Sequence, residues 1–140
     1  MKNSLKSLSR IQKFNIDEQR KILNAHLEEE EKLVAKLDKL NDEFIMEKAF
    51  AKLHEEFDFG TYLERYLKER AALEQAIVAV REKIEEVKDV IRELYKEQKT
   101  YDIVDENRQK RHQKEQDDKE QKMLDEIGTN AYIKKRTKKQ

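Results

Sequence analysis

Seven apolar residues, Leu73, Ile77, Val80, Ile84, Val87, Ile91 and Leu94, follow a 4-3-4-3-4-3 spacing without a break. They sit among charged residues, and that combination predicts a helical coiled-coil seam rather than a strand or a disordered tract. The pattern extends back through Tyr66 and Leu63 and forward to Tyr101. A second seam lies upstream: Leu23, Leu27, Glu30, Val34, Leu37, Asn41 and Phe44. Glu30 and Asn41 interrupt it, while Leu33 and Leu40 shadow it one position earlier, so this face is broader and less regular. Glu28–Lys32, Glu64–Lys68 and Glu115–Lys119 have the favourable i, i+4 orientation and add a few tenths of a kcal/mol each.

One interior segment reads as a turn. His54-Glu55-Glu56-Phe57-Asp58-Phe59-Gly60-Thr61 holds the sole interior glycine. Gly60 is expected to stop the first helix, with Asp58 or Thr61 capping the next and Glu64 completing a capping box. The fold expected is all-α, a long antiparallel two-helix coiled-coil hairpin spanning 1–127. Its helices run from about 5 to 57 and from about 62 to 127, joined at about 58–61. The remaining 128–140 reads as a basic, flexible tail. A short connection favours antiparallel neighbours. A bend near Gly60 makes the numbers of facing residues sum to about 119, which places Leu37 opposite Val80.

Composition narrows the function. The 140 residues include no cysteine, proline or tryptophan and only two glycines; 44% are charged, with 31 basic against 31 acidic. Two glycines so far apart supply neither a phosphate-cradling loop nor the tight turns of a doubly wound sheet. Without cysteine there are no disulfides and no thiolate metal ligands. No run approaches a membrane span, and MKNSLKSLSR lacks a signal peptide's apolar stretch, so the expected place is the cytoplasm. Zero net charge argues against nucleic acid, despite the basic end Lys134, Lys135, Arg136, Lys138 and Lys139.

Catalytic constellations fail on inspection. His54-Glu55-Glu56-Phe57-Asp58 begins like the HExxH zinc motif, but Asp58 stands at the second ligand position. A di-iron site needs Glu three residues before a His, and Leu23, Ala51 and Gln109 stand there instead. The expectation is no enzyme, no metal and no cofactor.

Two apolar concentrations remain. Leu5, Leu8, Ile11 and Phe14 would face Asp105–Lys122, eighteen residues with no apolar side chain and twelve charges. Either long Lys and Arg stems cover this stripe or it is a surface for a partner. Six of the ten aromatics fall between Phe44 and Tyr66. They either plug the loop end or form a contact surface.

The chain's ends resemble a known family. SLSRIQKFNIDEQRKIL, with Lys13-Phe14 and the step Ile16-Asp17-Glu18-Gln19-Arg20, is similar to the opening of the flagellar export protein FliJ family. The charged run NRQKRHQKEQDDKEQKMLDEIG, closing on Leu124-Asp125-Glu126-Ile127, resembles that family's polar helix. The middle matches only as generic coiled coil. The tail from Gly128 to Gln140 runs past the family's usual end, and Ile11, Gln12 and Gln19 stand where relatives often carry other residues. The resemblance implies a soluble, non-enzymatic stalk of the type III export apparatus, similar in shape to the central stalk of rotary ATP synthases. It is tied to flagellum biogenesis, protein transport and chemotaxis. Implied partners are the hexameric export ATPase FliI, the export gate protein FlhA and export chaperones. The implied location is peripheral to the inner membrane at the flagellar base. On this reading Leu5, Leu8, Ile11, Phe14, Leu124 and Ile127 contact the ATPase, and Phe44, Tyr62 and Tyr66 contact the gate. A stalk of a virulence-type secretion system and a structural coiled-coil scaffold share the same architecture.

Overall fold

In a computed structural model, which describes residues 2–138 and the side chains of 5–137, the chain is all-α. Helix α1 is Lys2–Leu53 and helix α2 is Phe59–Lys138, packed as an antiparallel hairpin. The chain divides into two compact units: residues 12–96, and residues 1–11 together with 97–140.

Unit 12–96 contains the seam. Ile77, Val80 and Ile84 are buried from α2, and Ile16 from α1; Leu73, Val87, Ile91 and Leu94 are half-buried. Fully burying such a side chain contributes roughly 1.5–3 kcal/mol, and half-burial contributes less. The two polar interruptions of the α1 seam have cross-helix partners. Glu30 Oε2 accepts from Arg81 Nε at 3.1 Å, and Asn41 Oδ1 accepts from the Tyr66 hydroxyl at 2.7 Å. Arg20 donates to the Tyr95 hydroxyl, and its guanidinium lies 5.6 Å from that ring's centroid. Polar groups inside a coiled-coil seam bond well in one register only, so they fix the alignment at some cost in stability.

These contacts correct the alignment expected from sequence. Asn41 with Tyr66 sums to 107, Glu30 with Arg81 to 111 and Arg20 with Tyr95 to 115, a mean of 111 rather than 119. The cause is the turn. Helix α1 ends at Leu53, short of the expected 57, and α2 starts at Phe59 rather than 62, so the bend is centred near residue 56. Leu37 therefore does not face Val80; it lies near Leu73.

Gly60 does not stop a helix. It is the second residue of α2 and no glycine has positive φ. The turn closes instead through backbone and rings. His54 N donates to Phe50 O at 3.1 Å, and Phe57 N donates to His54 O at 3.2 Å. The Phe50 ring stacks on His54 and meets Phe57 edge-on, with centroids 4.1 and 5.4 Å apart. Asp58 caps α2: its carboxylate accepts from the Thr61 hydroxyl at 2.5 Å and from Thr61 N at 3.4 Å. Those two bonds, with a smaller one from Gly60 N, hold the Asp58 carboxyl below its ordinary value of 3.8.

In the other unit, Ser9 Oγ donates to Asp102 Oδ1 at 3.1 Å, again a sum of 111. At that register Lys2 is level with about residue 109, so α2 continues for roughly 29 residues, about 40 Å, with no helix opposite. Every described side chain from Glu106 to Thr137 is exposed accordingly. The segment 128–138, read from sequence as a flexible tail, continues α2. Lys139 and the side chain of Lys138, part of the basic end, lie outside the described residues.

Candidate functional site

Uncovered apolar side chains are the candidate contact surfaces of such a hairpin, and among the described residues three groups of them stand out. In unit 1–11 with 97–140, Leu5 is half-buried in a shallow cleft beside Tyr101 and Asp105. Leu8 and Ile11 are exposed. The stripe therefore does not lie against Asp105–Lys122 as a register of 119 would have it. It starts level with Tyr101 to Asp105, and Leu8 and Ile11 still face solvent. Phe14, in unit 12–96, is likewise exposed.

The second place is the uncovered length of α2. Met123, Leu124 and Ile127 are 62%, 62% and 58% exposed. Successive residues on a helix are 100° apart, so Met123, Leu124, Ile127 and Ala131 lie within one 100° arc.

The third place lies beside the turn. Ile45, Met46, Phe50 and Leu53 are exposed and, with Ala49, form one face of α1 at i, i+1, i+4, i+5 and i+8. The expected gate-contact residues are not on it. Tyr66 is 5% exposed, with its ring stacked on Phe44 at a centroid distance of 4.1 Å and its hydroxyl bonded to Asn41. Phe44 also lies 6.0 Å from Phe59. These rings pack the loop end, and the structure does not offer Tyr66 to a partner. Tyr62 is half-buried; burial first, then the carboxylates of Glu47 and Glu43, push its hydroxyl pKa up. Sequence reasoning missed the Ile45–Leu53 face because it counted aromatics rather than helical angle. The spacing of Ile45, Met46, Ala49 and Leu53 was the available signal.

Asp58 is spent on its cap, the HExxH-like residues lie in the turn, and no His, Asp and Glu group among the described residues is placed to hold a metal. No helix among them is long and apolar enough to cross a membrane.

An antiparallel hairpin of two long helices places the chain in the class of all-α coiled-coil proteins. Within that class the chain belongs to the family described as Flagellar FliJ protein, which it matches over residues 1–137 of 140. That family is a non-catalytic component of the flagellar export apparatus. No curated protein and no solved structure matches the chain.

Proposed function

We propose that this chain is the coiled-coil stalk that engages the hexameric export ATPase FliI and links it to the export gate FlhA, and that it assists the cycling of export chaperones from the cytoplasmic side of the membrane. The observation that carries the reading is the match to the FliJ family across 137 residues. The uncovered apolar residues on both helices support it. Leu5, Leu8, Ile11 and Phe14 on α1 and Leu124 and Ile127 on α2 contact the ATPase; all but Leu5 are exposed.

On the gate side, the buried Tyr66 and its stacked partner Phe44 leave the work to the Ile45–Leu53 face, with Tyr62 at its margin. Exposed apolar side chains grouped on one helix face act as anchors when a partner desolvates them.

The test is a binding assay with purified export ATPase and the gate's soluble part. Leu8→Ala with Ile11→Ala removes two anchors, each worth on the order of 1–2 kcal/mol. ATPase affinity should fall at least about tenfold, since 1.4 kcal/mol is one decade, with melting nearly unchanged. Met46→Ala with Leu53→Ala should spare the ATPase and weaken the gate. Equal loss of both partners from either pair would refute the division of labour.

A further inference from the structure

The uncovered part of α2 carries a pattern that the stalk reading leaves unused. Asp117, Glu120, Leu124, Ile127, Ala131 and Lys134 follow a 3-4-3-4-3 spacing. That is a heptad seam with acidic residues at one end, apolar residues in the middle and a base at the other. Lys135 lies on the same face as Lys134. From Glu115 to Glu126 there are six acidic residues and two lysines, while Lys134, Lys135 and Arg136 follow with no acid among them. Among the described residues none of Glu120, Glu126, Lys134, Lys135 or Arg136 is in an ion pair, and the last pair along α2 is Lys110 with Glu106 at 3.2 Å.

We infer that this face binds a second copy of the same chain, antiparallel, through residues 117–135. Charge complementarity selects that occupant and that direction. In an antiparallel pair with facing numbers summing to about 251, Leu124 of each copy meets Ile127 of the other and Asp117 meets Lys134. Parallel pairing would set acids on acids and bases on bases, which destabilises. A helix segment without tertiary packing is marginal in water, so pairing also raises its helicity. Leu124 and Ile127 cannot serve a second copy and the export ATPase at once. The homodimer is therefore the state of the free chain, displaced when the ATPase takes the same side chains.

The test needs only the full-length chain, so its outcome is separate from whether the export ATPase binds. Sedimentation equilibrium should show a monomer–dimer equilibrium that weakens as salt rises. Ile127→Asp should weaken it at least about tenfold, one decade per 1.4 kcal/mol, without lowering the main melting transition. The chain has no cysteine, so Asp117→Cys and Lys134→Cys can be introduced singly, and their mixture should crosslink to each other under oxidation. A chain that stays monomeric to on the order of 1 mM overturns the pairing and leaves the face to the ATPase, as does a dimer indifferent to Ile127→Asp. Crosslinking of each variant only with itself overturns the antiparallel register.

Discussion

Replacing Tyr66 by Phe and by Ala separates what its hydroxyl and its ring contribute. The hydroxyl donates to Asn41 Oδ1 at 2.7 Å, the ring stacks on Phe44, and the side chain is almost wholly buried. Tyr66→Phe removes the bond to Asn41, a net loss of about 0.5–1.5 kcal/mol, together with the hydroxyl's interaction with the Arg70 side chain. Asn41 is half-exposed and can turn to water, which keeps the cost near the lower end. Tyr66→Ala removes the ring as well, and a truncated buried aromatic costs roughly 3–5 kcal/mol once the cavity is counted. Only five side chains are strongly buried among the described residues, so that is a large share of a marginal total. At roughly 3–4 °C per kcal/mol for a chain of this size, thermal unfolding followed by far-UV circular dichroism should show a fall of a few degrees for Phe. For Ala it should show roughly 9–20 °C. If Tyr66→Ala melted within about 2 °C of wild type, Tyr66 would be a surface residue and the register through Asn41 would be wrong.

Cysteines at Leu37 and Leu73 should form an intrachain disulfide, whereas Leu37 with Val80 should not. The latter pair lies about six residues out of register, roughly 9 Å along the axis, beyond disulfide reach. Gly60→Ala should be neutral or raise the melting temperature, worth up to about 1 kcal/mol, because the position is helical and an added Cβ only touches Asp58 Oδ1 at 3.4 Å; a clear loss would mean a left-handed Gly60. Asp58→Asn should melt earlier than wild type at neutral pH. The folded carboxyl titrates below its ordinary 3.8, so its contribution is complete above that value and lost as pH falls through the folded pKa; a gap that persists in stronger acid would exclude the charged cap. Ile84→Asp should unfold much of the helix at 25 °C because an unpaired carboxylate enters the seam, while Val78→Asp, on the exposed face, should barely change the circular dichroism.

The α2 seam was legible from residue order alone, because heptad spacing is local and a helix maps it directly onto one face. Ile77, Val80 and Ile84 are buried as the 4-3 pattern requires. The absence of proline and the near absence of glycine likewise dictated long helices, and the motifs at the two ends carried the family resemblance. Alignment between the helices was not legible. It depends on where the turn closes, and His54–Asp58 closes by ring packing and an Asp58 cap, whereas Gly60 was the strongest turn signal in the sequence. Moving the bend by about four residues shifts facing numbers by eight, two helical turns, and that changed the candidate sites. Phe44 and Tyr66 became packing residues, while the length of α2 with no helix opposite begins near residue 109 rather than 117. Which side chains a helix turns inward follows from local spacing; which of them find a partner depends on the tertiary register, which distant contacts such as Asn41 with Tyr66 and Glu30 with Arg81 hold in place.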